Sequence, residues 1–394
     1  MTKHNILLLL LLTVITPCLT LAQKTKGNTV RHDLSQARAY IKSGKYDEAE
    51  KTVTNLLKDS TNRRNKRIYL AWFDAVRGKH DQGNEKLYLK QKYDTAAFFG
   101  NVKKMYVVAE ALDSLAPEYR KSHATLLDTY RRNLFNGGAY HLTKSQWQTG
   151  FDYFEAYIDC ARQPLFSAHH YDSLDTQRMA EAGYWATYCG YKMHDPVLTL
   201  RYRKWALQDS AKVDFTLQFV AEARQWLNDN ELYVKTLEEG FQHNPLFPYF
   251  FPNLMDAYTS QGQYEKALAL TDSALAVNDS SQLFLFAKST MLLRLERYAE
   301  SIKYSDRLIQ MNPNMAEPYF NAGSAYVNIA SRLEEHNERK LTKQAYQKAR
   351  PYMEQYRKMM PDEQEKWAPV LYRIYLNLNM GKQFDEIDRL LKEK

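Results

Sequence analysis

The chain has 394 residues, which corresponds to two or three domains of average size. Its 54 Lys and Arg against 46 Asp and Glu give a formal charge of +8, and its 44% hydrophobic and 25% charged residues exclude a chain disordered by composition. Only 14 Gly and 12 Pro occur, so collagen-like, linker-like and turn-rich all-β structures fit poorly. A long chain with few helix breakers predicts an all-α fold.

The first 22 residues have the pattern of a secretory signal peptide. An apolar run at 6–15 follows a short polar start, and the segment 20–22 places small residues at the third and first positions before a cleavage site. The apolar run is too short to span a bilayer comfortably. We therefore predict cleavage at 1–22, a mature chain beginning at Gln23, and an N-terminal extension at 23–29.

Two alternatives to cleavage are an uncleaved anchor and a lipid on Cys18, although Pro17 is an unfavourable neighbour for lipoprotein processing. Export predicts a location in the periplasm or at the cell-envelope surface of a bacterium, away from nucleic acid. Loss of Lys3 leaves a formal charge of +7, which favours contact with an anionic envelope surface. No second apolar stretch has the length of a membrane span.

A pattern with a period of 34 residues follows the leader. Its units begin at residues 30, 131, 180, 214, 248, 282 and 316, and the last five starts are 34 residues apart without insertion or deletion. The interval 64–130 is one residue short of two periods, so we expect two degenerate units within an N-terminal array at 30–164. A shorter unit at 367–394 is expected to cap a C-terminal array at 180–366.

The unit at 248–281 shows the pattern most clearly. Large residues occur at Leu254, Tyr258 and Tyr264, and Gly262 marks a turn between two helices. This pattern and its period resemble the tetratricopeptide repeat. The resemblance covers nearly all of the mature chain and implies an all-α, right-handed superhelical solenoid of about ten antiparallel helix pairs.

The resemblance also has departures and insertions. Met255 and Tyr233 replace small residues at which two helices approach closely. Fifteen residues at 165–179 separate two regular units, and about fourteen near 327–343 lengthen another. The charged, helix-favouring second insertion predicts a lengthened helical pair. Insertions in repeat arrays map to loops on one face, often the binding face, although tolerated surface growth is an equal alternative.

Catalytic and metal-binding motifs are missing from the sequence: we find no phosphate-binding loop, nucleophile elbow, zinc-protease motif or calcium loop. His169 and His170 are adjacent, so they point apart on a helix, and no second ligand pair lies at a useful spacing. We expect no cofactor and no metal. Export permits a disulfide between Cys160 and Cys189, but their positions in the repeat favour two buried free thiols.

In the family that the chain resembles, first helices line a concave groove through their second, fifth, ninth, twelfth and thirteenth positions. The Lys/Asn/Lys/Arg set with which some members grip peptide C termini is missing here. At the groove positions the sequence instead has aromatic residues. Such residues can anchor a partner because they bury much apolar area at little entropic cost. Eight such residues are assigned to partner binding: Phe135, Tyr184, Tyr188, Tyr191, Trp226, Tyr249, Phe286 and Phe320. Packing of these rings against a neighbouring helix is the alternative.

We therefore expect a non-enzymatic exported scaffold that binds an extended segment or helix of a partner protein in this groove. A glycan- or small-ligand-binding envelope module that uses the same rings is the first alternative. An enzyme built on the insertions, with His169 and His170 as its sole indication, is the second. A self-associating structural oligomer is the third, if 367–394 does not cap the array.

Overall fold

The computed structural model describes residues 29–392. The predicted signal peptide at 1–22 and Cys18 lie outside the described residues, as does most of the extension at 23–29. Within 29–392 every regular element is an α-helix or a 3-10 helix. The prediction of an all-α helical-repeat solenoid is confirmed.

The chain divides into two compact units, Met1–Asn228 (unit 1) and Asp229–Lys394 (unit 2). The described helices of unit 1 are α1 (29–42), α2 (Tyr46–Leu56), α3 (Lys66–Tyr88), α4 (Thr95–Asp113), α5 (Arg120–Asp128), α6 (Arg131–Thr143), α7 (Trp147–Asp159), α8 (Tyr171–Leu174), α9 (Thr176–Lys192), α10 (Pro196–Arg201), α11 (Arg203–Ala206) and α12 (Val213–Trp226). Those of unit 2 are α13 (Asn230–His243), α14 (Phe250–Ser260), α15 (Tyr264–Val277), α16 (Gln282–Arg294), α17 (Tyr298–Met311), α18 (Glu317–Glu335), α19 (Arg339–Met359), α20 (Gln364–Asn377) and α21 (Gly381–Lys392). Short 3-10 turns occur at Ser60–Arg64, Pro117–Tyr119, Cys160–Arg162 and Pro164–Phe166.

The turn within a helical pair uses left-handed backbone. Gly44 and Gly262 have φ of 72° and 69°, and the turn follows the first helix directly. A residue with positive φ ends a helix because it directs the chain away from the helix axis while satisfying the last carbonyl groups. In other pairs non-glycine residues adopt the same conformation: Ser145, His194, Glu296, Asn337 and Asn379.

Small residues set the helix spacing inside a pair. A Cβ atom on Gly138 would lie 2.7 Å from the Phe154 ring, so α6 and α7 approach where the glycine has no side chain. Gly190 in α9 is tighter still, since its Cβ would lie 2.3 Å from the backbone nitrogen of Thr199 in α10. These contacts hold successive helices close enough to share one core.

The interval 64–130 differs from the expected two degenerate units. It contains one long pair, α3 and α4, followed by the short α5. Gly78 occupies the same position in its interval as Gly44 does in the first unit, but it lies inside α3. Tyr46 packs on it so closely that a Cβ atom there would lie 2.2 Å from the Tyr46 ring. The glycine therefore serves a helix contact, and the helix continues.

The insertion at 165–179 is packed into unit 1. Leu165, Phe166 and Tyr171 are buried in the same cluster as Tyr106 and Leu127. The ring of Phe166 stacks on that of Tyr106 with centroids 5.4 Å apart. The expectation of a loop on the surface is therefore wrong for these three residues, because their apolar side chains complete the core.

Unit 2 contains the most regular pairs, α14 with α15 and α16 with α17, whose helices have 11 to 14 residues. The next pair is longer, since α18 has 19 residues and α19 has 21. The extra length falls at the turn between α18 and α19, around Asn337. Tyr233 and Met255, the two departures from small residues, are both buried.

Candidate functional site

The eight sequence-predicted binding residues fall into two classes. Phe135 and Tyr184 are buried, with 9% and 8% of their surface exposed. The others are half-buried: Tyr188, Tyr191, Trp226, Tyr249, Phe286 and Phe320. Four of the eight lie in unit 1 on α9 and α12, and three lie in unit 2.

Phe135 is a core residue of unit 1. Its ring meets Phe154 and Tyr157 edge to face, with centroids 5.4 and 5.7 Å apart. Such pairs stabilise the interior of a domain. The ring of Phe135 is therefore covered by α7 and offers a partner little surface.

Tyr184 is also covered. Its ring contacts Trp185 and Phe219, with centroids 5.0 and 6.2 Å apart. The Lys212 ammonium lies 4.8 Å from the Tyr184 centroid, a cation–π distance. The residue joins α9 to α12 and presents little surface to a partner.

Four rings form a stack along α9 and α12, in the order Phe219, Tyr191, Trp226 and His194. Tyr191 lies 4.4 Å from Phe219 at an interplanar angle of 25°. Trp226 lies 5.7 Å from Tyr191 at 17° and 4.3 Å from His194 at 22°. Tyr191 and Trp226 therefore each have two stacked ring neighbours.

The stack limits what this surface can bind. A sugar ring stacks on an open aromatic face, and Tyr191 and Trp226 already stack on two rings each. Tyr188 beside the stack meets Trp147 edge to face at 5.9 Å. Lys192 lies 5.8 Å from the centroids of both of those rings. These rings are half-buried and join α7, α9 and α12, and the Lys192 side chain beside them is exposed.

Tyr249 lies at the N-cap of α14 in unit 2. Its carbonyl oxygen accepts a hydrogen bond of 2.6 Å from Asn253 Nδ2, and its ring meets Phe250 edge to face at 5.7 Å. It does not lie with the other two predicted residues of this unit, which share a separate cavity.

Phe286 and Phe320 are brought together in unit 2. They line a cavity of about 570 Å³, here called the groove pocket, formed by residues of α16 to α20. The ring of Phe320 rests on Tyr356, with centroids 5.1 Å apart. The polar residues of the lining are Thr290, Arg294, Glu296, Glu317, Asn321, Ser324, Asn328 and Lys366.

The floor of the groove pocket is polar and largely pre-organised. Asn321 is 5% exposed, and its amide nitrogen donates to Ser289 Oγ at 3.1 Å and Thr290 Oγ1 at 3.0 Å. Ser289 and Ser305 share a hydrogen bond of 2.7 Å behind it. A buried side chain held by two bonds keeps its orientation when a ligand binds.

Ser324 is the exception on this floor. Its hydroxyl oxygen is buried and has no hydrogen-bond partner within residues 29–392. A buried polar group without a partner is costly, and such groups in folded proteins call for an explanation. A hydrogen-bonding group that enters the groove pocket would supply the missing partner.

Charges of both signs surround the groove pocket. Arg294 and Glu317 are exposed. Lys366 forms an ion pair of 2.5 Å with Glu363, which also accepts a hydrogen bond of 2.6 Å from the Tyr356 hydroxyl. These two bonds hold the pKa of Glu363 below its usual value.

Sequence reasoning placed Phe286 and Phe320 at this site and missed its hydrogen-bonding residues. Thr290 and Ser324 occupy the ninth position of their units, one of the five positions that line the groove in the resembling family. The signal was therefore in the register, but hydroxyl side chains do not stand out as binding residues. Asn321 lies at the sixth position, which the pattern did not include.

The described residues contain no group of three or more His, Cys, Asp or Glu side chains that could hold a metal. His169 packs on Phe166 and Tyr171, with centroids 5.9 and 5.3 Å apart. Cys160 and Cys189 are both buried free thiols, and burial raises their pKa values to about 11 and about 12. Across 29–392, no helix has both the length and the hydropathy of a membrane span.

Two parts of the chain match models of a known repeat family. Residues 34–68 and residues 254–316 each match a tetratricopeptide repeat. The chain therefore contains tetratricopeptide repeats, and the resemblance drawn from the sequence is confirmed. The second match includes Phe286 of the groove pocket. No curated protein matches the sequence.

Several solved structures are similar to the chain at low identity. MamA from Desulfovibrio magneticus RS-1, from residue 41 to its end, is 16% identical over 47% of this chain and 97% of its own, with a TM-score of 0.35. The C-terminal part of a TPR repeat-containing protein from Cytophaga hutchinsonii is 11% identical over 64% of this chain and 92% of its own, with a TM-score of 0.41. The TPR2AB domain of yeast Sti1, in complex with pHSP90, is 14% identical over 77% and 98%, with a TM-score of 0.31. At these scores the similarities carry no argument about the partners of this chain.

Proposed function

We propose that the protein is a non-enzymatic scaffold that binds an extended segment of a partner protein in the groove pocket of unit 2. The buried Ser324 hydroxyl, which has no partner within residues 29–392, is the observation that carries this proposal. An extended peptide presents backbone N–H and C=O groups at regular intervals, and these can bond to Ser324 and to the amide of Asn328.

The apolar walls support the same occupant. Phe286 and Phe320 are half-buried and line the groove pocket beside Ser324. An apolar side chain of the bound segment would cover these rings while its backbone bonds to the floor. A cavity of about 570 Å³ holds a few residues of peptide and lies in the range typical of ligand pockets.

A glycan-binding role is the weaker alternative. It depends on open ring faces, and in the stack of Phe219, Tyr191, Trp226 and His194 the two central rings already stack on two neighbours each. In the groove pocket the ring of Phe320 is likewise already packed against a neighbouring ring, that of Tyr356, with centroids 5.1 Å apart. The protein segment is therefore the better fit.

Export to the periplasm or envelope surface belongs to the same proposal. Its support is the leader-like pattern at 1–22 and the small residues at 20–22. The test is cell fractionation with mass spectrometry of the N terminus, with the mature chain expected to begin at Gln23. A chain that begins at Met1 and remains in the cytoplasm would contradict this part of the proposal.

Photo-crosslinking tests the binding site directly. A photoreactive phenylalanine analogue replaces Phe286 in one sample and Met311, an exposed residue on α17 outside the groove pocket, in a matched control. We expect the analogue at 286 to form a protein adduct that the analogue at 311 does not form. Mass spectrometry then identifies the bound segment.

A synthetic peptide of that segment is then titrated against the full chain. The double variant Phe286→Ala, Ser324→Ala should weaken binding by about 100-fold, since it removes an apolar anchor and a hydrogen bond. The control Met311→Ala should bind as the parent does. Equal adducts at 286 and 311, or equal affinity of both variants, would place the partner elsewhere on the protein.

A further inference from the structure

The lengthened pair of α18 and α19 forms a second cavity in unit 2, here called the hairpin pocket. Its volume is about 290 Å³, and it lies where α18 ends, α19 begins and α20 ends. Its lining consists of Glu334, Asn337, Arg339, Thr342, Lys343, Tyr346 and Asn377. Most of these residues belong to the insertion near 327–343 or to the start of the helix that follows it. The hairpin pocket shares no lining residue with the groove pocket.

Tyr346 provides a hydrogen-bond donor without a partner. The residue is 0% exposed, and its hydroxyl oxygen is buried with no hydrogen-bond partner in the described chain. Burial raises the pKa of Tyr346, and Arg373 and Ser331, which lie near the hydroxyl without forming a well-aligned hydrogen bond to it, oppose the shift. The hydroxyl therefore keeps its proton at neutral pH. A buried O–H of this kind is costly unless an acceptor reaches it.

The other polar groups of the lining have part of their capacity in use. Thr342 is buried, and its hydroxyl donates to the Glu338 carbonyl at 3.0 Å. Asn377 donates from its amide nitrogen to the Arg373 carbonyl at 2.9 Å. A threonine hydroxyl that donates can still accept, and the second amide proton of Asn377 can still donate.

The charge of the hairpin pocket is positive. Arg339 and Lys343 are exposed at its rim, and neither forms an ion pair with a residue in 29–392. The acid of the lining, Glu334, lies 3.9 Å from Arg373, which offsets its charge. Glu335 and Glu338 are on the same hairpin but do not line the cavity. Two cations without ion-pair partners beside a buried O–H donor favour an anion with several acceptor oxygens.

We propose that the hairpin pocket binds the phosphate or carboxylate group of a small ligand. Tyr346 donates to one oxygen at the floor, and Arg339 and Lys343 pair with the negative charge at the rim. The volume is at the lower end of the range for ligand pockets, which fits a small organic anion better than a peptide. This site is independent of the partner segment proposed for the groove pocket.

Titration of the full chain with inorganic phosphate and, separately, with succinate tests the proposal. The melting temperature and the heat of binding are measured at constant ionic strength, with sodium chloride as the blank. We expect a saturable rise in melting temperature with at least one anion and none with chloride. Saturation by phosphate alone assigns a phosphate ester to the site, and saturation by succinate alone assigns a carboxylate ligand.

Three variants separate this site from general surface charge. Tyr346→Phe keeps the ring and removes the hydroxyl, and it should weaken binding by about tenfold, the effect of one hydrogen bond to a charged group. The double variant Arg339→Gln, Lys343→Gln should abolish saturation. Lys340→Gln, a neighbouring exposed lysine outside the lining, should bind as the parent does.

Tyr346→Phe also has a readout that needs no ligand. Without anion it should melt at or above the temperature of the parent, because it removes a buried hydroxyl that has no partner. Its circular dichroism spectrum shows whether the helices are retained. Failure of both anions to saturate, or equal loss in Lys340→Gln and in the Arg339, Lys343 double variant, would overturn the proposal.

Discussion

The guanidinium carbon of Arg131 lies 3.9 Å from the ring centroid of Tyr171, and Arg131 is 5% exposed. The ring centroid of Tyr157 also lies 3.9 Å from this carbon. Arg131 pairs with Asp175 as well, just before α9. One buried cation at the first residue of α6 therefore contacts α7 through Tyr157 and the 165–179 insertion through Tyr171 and Asp175, and it fixes the insertion to the core.

Replacement of Arg131 by Met should reveal this role. Arg131→Met keeps an apolar side chain of similar length but leaves Asp175 without its cation and removes both cation–π contacts. We expect unit 1 to lose about 3 kcal/mol of stability, as when one partner of a buried ion pair is removed. Urea unfolding followed by circular dichroism measures the change.

Arg132→Met is the matched control, because Arg132 is exposed and adjacent in sequence. It should change the free energy of unfolding by less than about 0.5 kcal/mol. Equal stability of Arg131→Met and Arg132→Met would mean that the insertion is held by its apolar residues alone.

The repeat pattern was sufficient to predict the helical pairs of unit 2. Its period is regular from 214 to 315, and Gly262 at the turn has the positive φ that the pattern requires. The same position does not form a turn in α3, because Gly78 there makes room for the Tyr46 ring and the helix continues. A glycine at a turn position predicts a turn only where no neighbouring ring occupies the space above it, and sequence does not show that neighbour.

The candidate site, too, could be predicted only in part from the sequence. Repeat register gave Phe286 and Phe320 correctly as neighbours, because positions on successive first helices line one face. The register could not distinguish these two pocket-lining rings from Tyr184. Tyr184 holds the same fifth position in its unit, but its ring contacts Phe219 on α12. Whether a groove ring is free depends on the size of the residue opposite, and this differs from unit to unit.

His80 should make stability fall in mild acid. The residue is 1% exposed between the rings of Phe98 and Tyr130, at 4.6 and 4.7 Å, and neither ring nitrogen has a hydrogen bond in the described chain. Burial lowers the pKa of His80 below its ordinary 6.5, although Asp81 at 3.6 Å opposes the shift.

The unfolded chain therefore takes up a proton at His80 that the folded chain excludes. Stability is full above about pH 6.5 and decreases as pH falls towards the lowered pKa.

His80→Leu removes this proton uptake. Between pH 7 and pH 5 the parent should lose up to about 1.4 kcal/mol per pH unit more than the variant. His336→Leu, at an exposed position, should follow the parent. Because burial also lowers the pKa of His123, some acid dependence should remain in His80→Leu. Parallel pH profiles of the parent and His80→Leu would show that His80 is protonated without cost.

Glu110 should act in the opposite pH range. Burial, with a further contribution from Asp159, raises the pKa of Glu110 to about 7. A carboxyl group with a raised folded pKa contributes stability below its ordinary value of 4.5, and this contribution is lost as pH rises through about 7. Glu110→Gln stays neutral, so at pH 8 it should be more stable than the parent by about 2 kcal/mol.

Thermal melts at pH 5 and pH 8 test this expectation. The difference between Glu110→Gln and the parent should be small at pH 5 and favour the variant at pH 8. Glu85→Gln, at an exposed position on α3, should show no such dependence. A variant that is less stable than the parent at pH 8 would mean that the Glu110 carboxylate has a compensating partner.

Gly190 should be among the least replaceable residues of unit 1. The Cβ atom of an alanine there would lie 2.3 Å from the Thr199 nitrogen and 2.6 Å from the Leu198 carbonyl carbon. Both are backbone atoms of α10, which cannot rotate aside as a side chain can, so α9 and α10 must separate.

Gly190→Ala should therefore destabilise unit 1 by at least about 2 kcal/mol, even though alanine favours the helix. Gly381→Ala, at the start of α21 with no atom within 4 Å of the added carbon, should be neutral or slightly stabilising. Urea unfolding of both variants decides the matter: equal stability would mean that the contact between α9 and α10 is loose enough to admit a methyl group, and that small residues do not set the spacing of this pair.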